Sequence, residues 1–208
     1  MTELYKNTYR IPSARLRSWD YASPGAYFIT ICTHNRVHWF WKIENARMVL
    51  SRLGLIAEQQ WMEISGHFNH VESGPFIIMP NHIHGILILN DSGRGAIHRD
   101  SNTGSKSNRD VLSDTTNHSD AANRVSTMGG GGMTGDKNPM LHDSVSKIIR
   151  WYKGKCTYKI RKSIPDISFQ WQSRFYDHII RDEQDFNRIS EYIVNNPAQW
   201  EDDKYFSK

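Results

Sequence analysis

The order of local patterns along this chain predicts an α+β fold: short β-branched segments and longer amphipathic stretches follow one another as strand, helix, strand, strand, helix, strand, helix. Three observations carry that reading. Phe76 to Leu89, FIIMPNHIHGILIL, is an apolar run rich in isoleucine and broken at Pro80, which reads as two adjoining strand segments. Ser144 to Ser163 repeats its apolar residues every three or four positions and reads as a helix. Residues 91–140, by contrast, hold no Phe, Trp or Tyr but eight of the 14 glycines, so they lack the apolar surface that offsets the entropy of ordering. The expected organisation is one domain built from 1–90 and 141–208, interrupted by a disordered Gly/Ser/Asn/Asp-rich insert at 91–140.

Composition narrows the function classes. A chain of 208 residues has room for one domain with a real core. The insert carries six acids and six bases, so the whole net charge of +4 resides on the folded part. A mildly basic surface with seven Trp, nine Tyr and eight Phe is compatible with a nucleic-acid partner. Cys32 and Cys156 cannot form a disulfide framework and have no metal-type spacing, so they read as reduced thiols. Met1 to Asp20 has no apolar signal-peptide core, and no run approaches the ~20 apolar residues a membrane span needs. A soluble cytoplasmic protein without a membrane partner is expected.

Taken in order, the turn signal Tyr21-Ala22-Ser23-Pro24-Gly25 launches a first strand over Ala26 to Thr33, where aromatic and β-branched residues dominate. His34 and His38 fall in the loop beyond it. Asn45 then offers an N-cap for a helix over Ala46 to Ile64, with Val49, Leu50, Leu53, Ile56, Ala57 and Trp61 as its stripe, Gly54 as a weak point and Gly66 as a stop. The paired strands of the Phe76 to Leu89 run follow. Asp143 or Ser144 caps the next helix, whose inward stripe is Val145, Ile148, Ile149, Tyr152, Cys156 and Ile160. Its outer face bears Lys147, Arg150, Lys153, Lys155, Lys159, Arg161 and Lys162 with no acid. A solvated helix face ordinarily mixes signs into ion pairs, so these seven bases point to phosphate. Phe175 to Ile180 reads as the last strand. Asp182-Glu183 open a final helix with Phe186, Ile189 and Ile193 as core stripe and Pro197 as its end.

Chemistry concentrates at two places. In a strand, side chains alternate faces, so His82 and His84 share one face while Ile83 enters the other layer. Neighbours on one strand face stand roughly 7 Å apart at the backbone, close enough for two imidazoles to converge on a cation. A bare His-x-His pair equally suits two strand histidines bonded to neighbours. On the last helix, Tyr192 and Asn196 are four residues apart and share a face beside the core stripe. Pro197 places the Asn196 amide at the helix end.

The string Met79-Pro80-Asn81-His82-Ile83-His84 resembles the histidine–hydrophobic–histidine motif of the HUH endonucleases, in the form found in REP-associated tyrosine transposases. Trp171 to Asp182 (WQSRFYDHIIRD), followed by Glu191 to Pro197 (EYIVNNP), is similar to the C-terminal signature of the same family, and in the same order. The match runs from about Ser18 to Trp200 with the insert excepted. The resemblance implies a ferredoxin-like or RRM-like antiparallel sheet with packed helices. It implies Tyr192 as nucleophile, and His82, His84 and Asn196 as ligands of a divalent metal, Mg²⁺ or Mn²⁺. By ligand type alone, two imidazoles and an amide suit Mn²⁺, Zn²⁺ or Ni²⁺ better than Mg²⁺. The implied activity is nicking and rejoining of single-stranded or hairpin-bearing DNA through a 5′-phosphotyrosine. A homodimer and a monomer both remain open, and the rival reading is a non-catalytic RRM-like nucleic-acid-binding module.

Overall fold

In the computed structural model, residues 19–91 and 144–206 are described. The expected insert at 91–140 therefore lies almost wholly outside the described residues. Strands β1 (Gly25–Cys32), β4 (Val71–Met79), β5 (His82–Leu89) and β6 (Tyr176–Ile180) form one sheet in the order β4-β5-β1-β6. Every pairing in it is antiparallel. A separate hairpin pairs β2 (Trp41–Glu44) with β3 (Arg47–Leu50). Helices α1 (Arg52–Met62), α2 (Ile64–His67), α3 (Val145–Ser163) and α4 (Glu183–Asn195) complete the α+β arrangement.

Alternation along the strands splits the core into two layers. Ile29, Ile31, Ile83 and Leu87 face one way and meet the buried stripe of α3, in which Val145, Ile148, Ile149, Tyr152, Cys156 and Ile160 are all buried as the periodicity predicts. Trp61 of α1 wedges between these elements, its ring edge-on to Tyr152 at 5.3 Å and its Nε1 donating to Ser73 Oγ. The wedge requires Gly85: a Cβ there would lie 2.3 Å from Trp61 Cζ2, so only a bare backbone admits the indole. On the opposite face, Ile86 and Ile180 meet Ile189 and Ile193 of α4. Ser144 caps α3 by accepting from Lys147 N, and Asp182 caps α4 by accepting from Asp185 N.

The expected helix from Asn45 to Ile64 is corrected. Asn45 and Ala46 take positive φ values of 50° and 57°, the backbone of a two-residue hairpin turn, so the first third of that stretch folds as the turn and β3, paired with β2 before it. The helix starts at Ser51, whose hydroxyl accepts from Gly54 N at 3.1 Å. Leu53, Ala57 and Trp61 are its buried stripe, while Val49 lies on the hairpin, 38% exposed. Gly54 is a requirement of the packing, since a Cβ would come within 2.9 Å of Phe40 O and Leu50 Cδ2. Among the described residues, no helix is long and apolar enough to cross a membrane.

Candidate active site

The two histidines project from β5 into the layer covered by α4, and both are fully buried. Register with β1 sets Thr30 opposite His84, and Thr30 Oγ1 lies 2.8 Å from His84 Nδ1. The turn residue Asn81 orients the other ring. Its Nδ2 donates to Tyr205 O at 2.9 Å, which turns Oδ1 toward His82 Nδ1 at 2.8 Å. His82 Nδ1 therefore carries the hydrogen and Nε2 presents a lone pair. The two Nε2 atoms stand 2.9 Å apart. Burial holds both imidazoles below their ordinary pKa, His82 well below with His84 adding to the effect, and His84 against the pull of Asp203. Neutral rings are the form that ligates metal.

The final turn of α4 brings Tyr192 and Asn196 onto this pair, as their shared helix face predicts. Tyr192 Oη lies 3.2 Å from His84 Nε2, and its ring stands edge-on to Phe28, which stacks on His84. Beyond α4 the chain runs through the 3-10 segment Asn196–Asp202 and returns across the cluster. Asp203 then becomes its third pole, a residue that neither spacing nor resemblance singled out. Its Oδ2 accepts from Tyr192 Oη and Asn196 Nδ2, each at 2.9 Å, and lies 3.8 Å from His84 Nε2. Its Oδ1 accepts from Tyr205 N. Burial opposes charge on this carboxyl, but His84, the Asn196 amide and the Tyr205 N–H outweigh it and hold the pKa far below the usual range. Burial, then the Asp203 charge, pushes the Tyr192 phenol in the opposite direction, well above its ordinary value.

One candidate ligand atom from each of His82, His84 and Asp203 lies within 4.8 Å of the others, a cluster that could hold a metal ion. The donor set fits. Adjacent nitrogens bound at about 2.1 Å around a six-coordinate ion stand about 3 Å apart, close to the observed 2.9 Å. Asn196 has its amide nitrogen fixed on Asp203, which leaves Oδ1 buried with no hydrogen-bond partner, and a cation would satisfy that oxygen.

The bases of α3 are not brought to this cluster. They stand on the far side of the sheet, because the apolar stripe of α3 packs on the Ile83 layer. Lys153 reaches toward the sheet's β6 edge, its Nζ donating to Gln172 O and Arg174 O. Of the other tyrosines, Tyr152 is fully buried in the α3 layer and donates to Ala57 O, while Tyr176 is exposed on β6. His38 stands edge-on to Trp200, and His34 lies exposed in the 3-10 turn His34–Arg36.

A His-x-His strand, a tyrosine helix laid over it and a carboxylate closing a cluster that could hold a metal ion sit in a transposase-like fold. The structure is similar to that of a REP-associated tyrosine transposase bound to a REP hairpin, with a TM-score of 0.51 and 16% identity, over 91% of this chain and 74% of that one. A putative transposase from Deinococcus radiodurans R1 aligns with a TM-score of 0.41 and 11% identity over 88% of this chain and 97% of its own. No family model matches the sequence. An uncharacterized protein of Haemophilus influenzae is 34% identical over 194 residues, which span 93% of this chain and 92% of the relative. The protein belongs to the same family as that Haemophilus protein.

Proposed function

We propose that the protein is a metal-dependent single-stranded DNA endonuclease and strand transferase of the REP-associated tyrosine transposase kind. One observation carries this most: the Tyr192 hydroxyl, 3.2 Å from His84 Nε2, stands at a buried cluster of two neutral imidazoles and a carboxylate. His82, His84 and Asp203, with Asn196 through its unpartnered Oδ1, would hold a divalent ion. With one carboxylate among those donors, the ion would keep positive charge to polarise a phosphodiester as a Lewis acid.

Tyr192 Oη attacks the phosphorus, forming the Oη–P bond as the P–O3′ bond breaks and leaves a free 3′ hydroxyl. The phenol must lose its proton in doing so. The proton the phenol gives up is balanced by the one the departing 3′ oxygen takes up through solvent, and Asp203, which accepts the phenol's hydrogen bond at 2.9 Å, orients Oη for the attack. The 5′-phosphotyrosine conserves the energy of the linkage, so a second 3′ hydroxyl can reverse the reaction on another strand without ATP. The bases of α3, facing away from the cluster, would hold flanking DNA, such as the stem of a palindrome.

The test is to incubate the protein with end-labelled, hairpin-bearing oligonucleotides and Mn²⁺, denature it, and look for a protein–DNA adduct. Tyr192→Phe keeps the ring's packing on Phe28 and His84 but lacks the nucleophilic oxygen, so it should bind normally and give no adduct. An adduct that persists in Tyr192→Phe, or that maps to Tyr152 or Tyr176, overturns the assignment. Tight binding by the wild type with no adduct on any palindromic substrate favours the binding-module reading.

A further inference from the structure

Beside the cluster lies an open groove of about 630 Å³, lined by His34, Asn35, Arg36, Gln172, Ser173, Arg174 and Tyr176. No carboxylate is among its lining residues. Its two walls are bolted together: Thr33 bridges Trp171, His34 N donates to Gln170 O, and Gln172 N donates to Cys32 O, both bonds at 2.9 Å. Asn35 and Arg36 take left-handed φ values of 53° and 54°, which tighten the loop that carries the Arg36 side chain. That side chain donates to Lys204 O and lies over the Tyr205 ring. Lys204 Nζ stands over both Tyr205 and Tyr176. Two guanidinium groups and an exposed aromatic ring thus line one trough, with Lys204 over its Tyr176 ring.

The trough leads to the reacting centre. Tyr176 pairs with Thr30 in the sheet, so it shares the face of His84. Ring contacts continue from Tyr176 to Tyr205 at 6.0 Å, from Tyr205 to His84 at 5.7 Å and from His84 to Tyr192 at 5.2 Å. A second basic trough, lined by Lys153, Gly154, Thr157, Tyr158, Arg161 and Lys162, lies on α3 and meets the first at Lys153, whose Nζ donates to Gln172 O and Arg174 O.

Resting on the transposase reading, we propose that the groove at His34–Arg36 and Gln172–Tyr176 holds the single-stranded segment next to the scissile phosphate, with Arg36 and Arg174 on backbone phosphates and Tyr176 stacked on a base. Alternating cation and aromatic is the chemistry that binds single strands without reading sequence. A duplex offers no unstacked base to Tyr176.

The experiment measures anisotropy of a labelled oligothymidine with the full-length protein in EDTA, across a salt series, so that no cleavage intervenes. Tyr176→Ala should weaken binding between about 5-fold and about 150-fold. Tyr176→Phe, which keeps the ring, should bind like wild type. Arg174→Ala should shallow the slope of log affinity against log salt by about 0.7, the signature of one lost phosphate contact. Unfolding curves of each variant matching wild type show that the fold is kept. The proposal falls if Tyr176→Ala and Arg174→Ala bind like wild type, if Lys159→Ala and Arg161→Ala lose single-strand affinity instead, if duplex competes as well as single strand, or if wild type does not bind. Lost affinity in the groove variants together with no Tyr192 adduct would keep the groove and remove the endonuclease. An adduct with unaffected groove variants would do the reverse.

Discussion

Replacing Asn81 by alanine tests whether the site is built by its supporting shell. The Asn81 side chain makes two buried bonds, from Nδ2 to Tyr205 O at 2.9 Å and from Oδ1 to His82 Nδ1 at 2.8 Å. Alanine orphans a carbonyl and an imidazole N–H in a site where Asn81 and His82 are fully buried. Each orphaned group costs about 1–3 kcal/mol, so the variant should lose about 2 to 6 kcal/mol of stability, measured by urea unfolding followed by tryptophan fluorescence. The second consequence is chemical. Without Oδ1 the bond that holds the hydrogen on His82 Nδ1 is lost, so Nε2 no longer presents a fixed lone pair. Loss of such an orienting partner typically costs about 10- to 100-fold in metal affinity. The Mn²⁺ concentration that half-saturates the rise in melting temperature should increase by that factor. A stability loss below about 1 kcal/mol with an unchanged Mn²⁺ midpoint would refute the reasoning, because both bonds would then be incidental.

The other expectations concern packing, thiols and the insert. Gly85→Ala drives a Cβ to 2.3 Å from the Trp61 ring and should destabilise by about 1–3 kcal/mol in the same urea assay, with red-shifted Trp61 emission. Burial raises the Cys32 thiol to about 11 and the Cys156 thiol to about 12, so neither should react with a thiol reagent at pH 8 until urea is added. Both should gain reactivity only as pH climbs toward those values, since a raised thiol pKa keeps the neutral form. Deleting 92–137, which lies outside the described residues, and closing the gap with a short Gly/Ser linker should leave cooperative unfolding and adduct formation in place.

What the sequence by itself determined was whatever a local period controls. The two-residue repeat of a strand put His82 and His84 on one face and Ile83 in the other layer. The helical repeat put Tyr192 and Asn196 together and sorted the buried stripe of α3 from its bases. A period misled at Asn45, where apolar residues of a hairpin and a helix happened to fall in one stripe. The turn was decided by two left-handed residues, and the wedge of Trp61 into Gly85 then fixed where α1 could lie. Only the tertiary structure decided that Asp203, one of three acids in Glu201-Asp202-Asp203, closes the cluster, because no spacing relates it to histidines 119 and 121 residues away. It likewise decided that the bases of α3 face away from Tyr192, while Arg36, Arg174 and Tyr176, scattered along the chain, line one groove beside it. A side chain's period says which residues share a face; which faces meet depends on how the sheet orders its strands and where the chain returns, and those are long-range contacts that no local pattern encodes.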